Sequence, residues 1–210
     1  VLEGLTRWYR AQRADLLCIQ EAQSAAAVAE LAQLLEGSSH YCAGREHTQY
    51  GGCLVFNSGT VKADSAQAGA QVQRFWIKWA LGGDSLCSVH LPSDRQLVKE
   101  QAARQRVAEL NAMFAHAPAP DIVCGDFNEP PGGGVQQLME ARGFVDLAPR
   151  FGYGETDTHT RKHARRIDYV WVQEASVPRV KAFRVAEPAE LALDGGRYLS
   201  DHLPLVVTLE

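Results

Sequence analysis

Acidic, amide and imidazole side chains recur just beyond short apolar runs in this chain. Glu21 follows the run Leu16 to Gln20, and His90 follows Ser85 to Val89. Asp126 and Asn128 come at and after the end of Ile122 to Gly125, Asp168 follows Arg166 and Ile167, and Asp201 and His202 precede Leu203 to Leu209. Residues at strand ends form the ligand crevice of layered α/β sheets. If these ends converge, one site holds four carboxylates, two imidazoles and one amide. Such donors suit a hard cation: Mg2+, with Mn2+ as the alternative. No Cys pair, and no cluster of several His along the chain, points to zinc. A bound metal lowers the pKa of a water, and positioned cations stabilise the spread negative charge of a phosphoryl transition state.

Each candidate also has a structural reading. Glu21 can be a solvated acid after a strand, and Asp126 and Asn128 can be turn residues before Pro130 and Pro131. His90 can be a hydrogen-bonded core histidine. Asp168 inside an apolar strand resists that reading, because a buried acid needs a partner, and His202 supplies one. The run Arg161 to Arg166 is the only dense basic stretch and lies just before Asp168. Overhanging the site, Arg161, Lys162, Arg165 and Arg166 would contact an anionic substrate; a solvated loop is the alternative. His159 lies in the Thr-rich stretch Thr156 to Thr160, where a purely structural role is open to it.

Helix-like and strand-like segments alternate. Leu2, Leu5, Trp8 and Tyr9 have helical spacing, and Asp15 to Glu21 reads as a buried strand. Ser24 caps a helix over Ala25 to Leu35 that Gly37 closes. Gly52 to Phe56 is a strand, and Val72 to Leu81 pairs with Ser85 to Leu91 around Gly82 and Gly83. In that pair Phe75 and Trp79 share one face and Trp76 takes the other. Lys99 to Phe114 is the strongest helix, with Ala103, Val107, Leu110 and Phe114 on one face. Asp121 to Cys124, Ile167 to Val172 and Leu203 to Leu209 are strands, and Val135 to Ala141 is helical. Strands mixed with helices, and a hairpin, predict a layered mixed α/β fold.

In order, Ile19-Gln20-Glu21, Val89-His90-Leu91, Gly125-Asp126-Phe127-Asn128, Arg166-Ile167-Asp168-Tyr169-Val170 and Ser200-Asp201-His202 resemble the motif set of the endonuclease/exonuclease/phosphatase superfamily. That group includes pancreatic deoxyribonuclease, abasic-site endonucleases, neutral sphingomyelinases and inositol polyphosphate phosphatases. The resemblance spans Asp15 to Leu209 and rests on the five motifs in order, since each alone is weak. It implies a four-layer α/β sandwich with two central mixed β-sheets flanked by helices, and metal-dependent phosphoester hydrolysis. By the same resemblance Glu21 is the main metal ligand, with Asp201 near the metal. Asp126 orients or deprotonates the attacking water, and Asn128 holds the phosphate or that water. His202 contacts a phosphate oxygen, Asp168 sets its tautomer, and His90 is a second phosphate contact or a proton donor. Glu46 and Tyr50 are the candidates to support His90. The stretch Thr156 to Thr160 resembles the family's strand before the Ile-Asp-Tyr motif, and that resemblance makes His159 a rim or substrate contact rather than a metal ligand. The family carries an Asn on a first strand upstream of the opening helix. The chain starts inside that helix, so this strand is expected to be missing and a sheet edge to be left open.

The chain has 210 residues, is 46% hydrophobic and carries a formal charge of -4. That composition predicts one globular domain over residues 1–210, and it argues against a non-specific coater of DNA. It leaves open an enzyme that meets a few phosphates in one cleft. No apolar stretch is long enough for a spanning helix, so no membrane segment is expected. The five Cys are odd in number, and Cys18, Cys53, Cys87 and Cys124 sit in apolar runs. Such thiols behave as small hydrophobes, which favours a reducing, cytoplasmic setting. The expected activity is a Mg2+-dependent phosphodiesterase, a nuclease acting on nucleic acid or nucleotides. The alternatives are a phosphomonoesterase or lipid phosphodiesterase with the same site, or a catalytically weak binding domain.

Overall fold

The strand ending at His90 is buried on both faces: Leu86, Ser88 and His90 on one, Cys87 and Val89 on the other. Around it the computed structural model describes residues 2–22, 24–43, 51–56, 61–63, 76–81, 84–95, 98–116, 120–160, 164–193 and 197–210. In chain order the elements are α1 (Leu2–Gln12), β1 (Leu16–Ala22), α2 (Ala25–Leu34), β2 (Ser38–Ala43), β3 (Gly51–Phe56), β4 (Val61–Ala63), β5 (Trp76–Leu81), β6 (Asp84–His90), α3 (Lys99–His116) and β7 (Ile122–Asp126). They continue with α4 (Gly134–Ala141), β8 (Phe144–Asp146), α5 (Leu147–Arg150), β9 (Asp168–Gln173), β10 (Val180–Val185), β11 (Ala192–Leu193), β12 (Arg197–Tyr198) and β13 (Leu205–Leu209). Short 3-10 turns cover Glu174–Arg179 and Pro188–Leu191.

The main sheet runs β4-β5-β6-β7-β9-β8. Only the β6–β7 pair is parallel, which makes the sheet mixed. One face carries Trp76, Cys87, Val123 and Trp171, packed under Leu110 and Met113 of α3 and Val135 and Met139 of α4. The other face carries Trp79, Ile77, Ile122 and Val172. The tryptophans of β5 thus part to opposite faces as alternation predicts; Phe75 lies outside the described residues. Each fully buried large side chain contributes roughly 1.5–3 kcal/mol from lost water contact.

Against that second face lie two smaller sheets. The antiparallel sheet β1-β3-β2 covers β5, β6 and β7, and the pair β10–β13 covers β9. Val28, Leu31, Ala32 and Leu35 around α2, with Tyr9 of α1, close the outer side of β1 and β2 over Leu17, Ile19 and Tyr41. Helix, sheet, sheet and helix make the four layers that the motif set implies. The second sheet layer differs from the expectation of two mixed sheets: it is antiparallel and divided. Among the described residues β1 pairs only with β3, and β13 only with β10.

Local signals account for most boundaries. Ser24 accepts from the Ala27 N–H at 3.1 Å, and Gly37 N–H reaches the Ala32 carbonyl at 2.9 Å. The strands β2, β8 and β10 were not anticipated. On α3, Ala102, Arg106, Leu110 and Met113 are buried, while Ala103, Val107 and Phe114 of the apolar face are half-buried. Arg106 points inward to a buried carboxylate, Glu129, at 3.3 Å. Cys87 and Cys124 are free thiols, and burial pushes the Cys87 thiol up to about 12. Among the described residues no helix is long and apolar enough to cross a membrane.

Candidate active site

Strand register places the first residues. His90 pairs with Asp126 across the parallel β6–β7 edge, and Asp126 pairs with Asp168 across the antiparallel β7–β9 edge. Three functional side chains therefore start from adjacent strands at one end of the main sheet. Gly125 sits at φ +132, and a Cβ there would lie 2.0 Å from the Val89 carbonyl oxygen. Only glycine permits this approach of β7 to β6 one residue before Asp126.

Glu21 arrives from the facing sheet. The β1–β3 ladder slips between Ile19 and Ala22, and Glu21 takes a left-handed φ of 56. A bulge of this kind re-aims a side chain, and strain at a non-glycine residue marks a functional position. The Glu21 side chain is 63% exposed, and its Oε1 lies 3.8 Å from Nε2 of buried His90. The same Nε2 is 3.6 Å from Asp126 Oδ2.

Asp126 is held by its own turn. Its Oδ1 accepts from the Asn128 backbone N–H at 2.8 Å and its Oδ2 from the Asn128 side-chain amide at 2.9 Å. That amide also donates to the Leu91 carbonyl at 2.9 Å, with Asn128 at φ 51. Both hydrogens of the Asn128 amide are thus engaged by protein acceptors. Burial, reinforced by Asp168, holds the Asp126 carboxyl well above the usual carboxylate range.

His202 Nδ1 lies 2.9 Å from Asp168 Oδ2 and 3.1 Å from Oδ1. Burial opposes the imidazole's charge, but the Asp168 hydrogen bond and charge, with Asp126 and Asp201, lift it to about 9. Asp168 is fixed in turn by Thr158, whose hydroxyl donates to Oδ2 at 2.6 Å and accepts from the Ile167 and Asp168 N–H groups at 3.1 and 3.0 Å. Beside His202 stands His159: the rings are 5.0 Å apart at 77°, and His159 Nε2 is 3.8 Å from Asp201 Oδ2. A cleft between Tyr153, Thr156, Val185 and Leu203 opens next to His159.

The sequence candidates Glu21, His90, Asp126, Asn128, Asp168, Asp201, His202 and His159 thus form one chain of contacts. Arg166 departs from its expected place on the substrate side. It is buried, bonds to Asp146 at 2.6 Å and lies over the Tyr169 ring at 4.5 Å. A buried guanidinium needs a carboxylate, and β8 provides one. Arg165 is exposed and 3.5 Å from Asp94. Arg161, Lys162, Glu46 and Tyr50 lie outside the described residues. Sequence reasoning missed Thr158, Glu129 and Arg106. Glu129 accepts from the Val135 N–H at 2.7 Å, and its carbonyl accepts from the Tyr169 hydroxyl at 2.8 Å. Its only sequence signal is adjacency to Asn128.

Carboxylates dominate this end of the sheets, and ligand atoms of Asp126, Asp168 and His202 all lie within 4.8 Å of one another. Crowded carboxylates repel one another and are relieved by a cation, so the donor set fits a hard divalent ion.

Comparison with known proteins bears on the fold and the family. No curated protein matches the chain. The fold is similar to the 3' phosphatase NExo from Neisseria bound to a product DNA hairpin, with TM-score 0.76 and 17% identity over 100% of this chain and 94% of that one. It is similar to an AP endonuclease from Archaeoglobus fulgidus, with TM-score 0.75 and 16% identity over 100% and 94%. Humanized D. rerio TDP2 gives TM-score 0.73 and 19% identity over 100% and 91%. At these identities the likeness speaks for the fold. The model of the endonuclease/exonuclease/phosphatase family matches residues 1–202, and the chain belongs to that family.

Proposed function

We propose that the chain is a divalent-metal-dependent phosphodiesterase that hydrolyses nucleic acid or nucleotides. The observation that carries this reading is the pairing of an oriented acid with an oriented imidazole: Asp126 held by Asn128, and His202 held by Asp168. Glu21 and Asp201 would hold the ion, Mg2+ or Mn2+. The bound ion supplies Lewis-acid polarisation of a phosphoryl oxygen.

The protein groups have separate tasks. Asp126 offers a carboxylate oxygen to the attacking water and takes its proton, in a single in-line displacement. With Nδ1 engaged by Asp168, His202 uses Nε2 to donate to a phosphate oxygen; a charged imidazole there stabilises negative charge as it spreads. His90, buried within 4 Å of both Glu21 and Asp126, fixes the distance between the ion's end and the base. The cleft beside His159, with Tyr153 in its wall, gives a nucleoside ring aromatic surface to lie on.

The test is nicking of supercoiled plasmid with Mg2+, with EDTA, and with Asp126→Ala in parallel. A diester and a monoester chromogenic phosphate are run beside it. Metal-dependent nicking lost in the variant is the expected result. Release of free phosphate from the monoester alone points to the phosphatase alternative. Full activity in Asp126→Ala sinks the mechanism.

A further inference from the structure

A second donor set lies beside the catalytic imidazole, and its chemistry differs from the carboxylate-rich end. The segments Thr158–Thr160 and Asp201–Leu203 run antiparallel as a short ladder. Leu203 N–H reaches the Thr158 carbonyl at 2.7 Å, and Thr160 N–H reaches the Asp201 carbonyl at 2.8 Å. The Thr160 hydroxyl adds a bond to that same carbonyl at 3.0 Å. His159 and His202 are the residues paired between these bonds. Directly paired residues of an antiparallel ladder project to one face, which is why the two rings meet.

We propose that His159, Asp201 and His202 form a binding site for a borderline transition-metal ion, Zn2+ or Co2+, which adds two imidazoles and shares only Asp201 with the hard-cation end at Glu21. Their ligand atoms all lie within 4.8 Å of one another, with His159 Nε2 3.8 Å from Asp201 Oδ2. Bonds of about 2.0–2.1 Å in a tetrahedral site put ligand atoms roughly 3.3 Å apart. Side-chain rotations of about 1 Å close that difference without moving the ladder. Two imidazoles and one carboxylate select Zn2+ or Co2+ over Mg2+, which prefers oxygen. A fourth position is left for water. Asp168 already engages Nδ1 of His202 at 2.9 Å. A carboxylate on the far nitrogen of a ligating imidazole sets its tautomer and raises its basicity. Asp168 thereby assigns Nε2 as the metal-binding atom.

The consequence is regulatory and rests on the hydrolase reading above. An ion on His202 Nε2 removes the donor meant for phosphate, so Zn2+ inhibits the Mg2+-supported reaction by competing for one imidazole.

The experiment is a calorimetric titration of the full chain with Zn2+ in excess Mg2+, and with Co2+ followed by visible absorption. His159→Ala and Glu21→Gln are titrated in parallel. One Zn2+ per chain is expected. Affinity falls at least tenfold in His159→Ala and is unchanged in Glu21→Gln. Equal affinity in His159→Ala, or its loss in Glu21→Gln, overturns the site. If His159→Ala does not fold, the native chain decides: Co2+ broadens the ring protons of both His159 and His202, and sharp signals overturn the proposal. Zn2+ that binds while hydrolysis continues overturns the inhibitory role. A chain inactive with every metal refutes the hydrolase reading and leaves the binding titration to judge the site.

Discussion

Glu129 and Arg106 form a buried ion pair directly behind the loop that carries Asp126 and Asn128, and breaking it tests how that loop is held. Glu129 Oε1 accepts from Arg106 Nε at 3.3 Å, and Oε2 accepts from the first-turn N–H of Val135 at 2.7 Å. Arg106 also donates to the Pro92 carbonyl at 3.0 Å. Both side chains are about 95% buried. Glu129→Gln keeps an acceptor for Val135 but strands the Arg106 charge. Removing one partner of a buried pair costs about 3–5 kcal/mol. For a chain of this size 1 kcal/mol is about 2–4 °C in Tm, so the loss is roughly 6–20 °C. Arg106→Met combined with Glu129→Gln removes both charges and restores much of it. The coupling, measured by denaturant unfolding of the four-member cycle, is about 2 kcal/mol or more. Additive single effects, or a Glu129→Gln Tm within about 2 °C of the parent, refute the reasoning. Hydrolysis by the double variant then reports whether the pair holds Asp126 and Asn128 in working geometry.

Gly125→Ala places a Cβ 2.0 Å from the Val89 carbonyl at φ +132. It lowers unfolding free energy by at least about 3 kcal/mol, and a variant as stable as the parent contradicts the close β6–β7 approach. Thr158→Val leaves the N–H groups of Ile167 and Asp168 and one Asp168 oxygen without their partner. Chemical denaturation shows a loss of about 2–4 kcal/mol that Thr158→Ser restores. The Arg184 hydrogen bond, against a smaller opposing effect of burial, holds Glu190 down at about 2 from 4.5. Its stabilisation is present above pH 4.5 and fades as the pH falls through about 2. Solvent screening limits it to about 1 kcal/mol, so Glu190→Gln is less stable than the parent at pH 6, and the difference shrinks as the pH falls from 4.5 towards 2. A pH-independent difference refutes the pairing.

Much of the site was legible because its residues sit at the ends of apolar runs. Glu21, His90, Asp126 and Asp168 each lie at or next to the end of a strand, and His202 precedes β13 by three residues. Their spacing along the chain follows the lengths of β1, β6, β7 and β9 and the connections between them. The strands β2 and β10 were not legible because their residues are of mixed polarity, and β8 because it spans only three residues. Arg166 was misjudged because a basic run looks the same whether it faces solvent or a buried carboxylate. Only Asp146, from a strand paired with β9, decides its direction.

The amino-acid sequence by itself determined the layered α/β class, the ordered motif set and the oxygen-rich character of the donors. These depend on residue type and local period, which are written along one dimension. Tertiary structure alone decided the division of the second sheet layer and the burial of Arg106 on α3. It also decided the bracing of Asp168 by Thr158 and the meeting of His159 with Asp201 and His202. Each of these joins residues 10 to 43 positions apart through strand register or a buried charge. Register and charge pairing exist only once the chain has closed on itself.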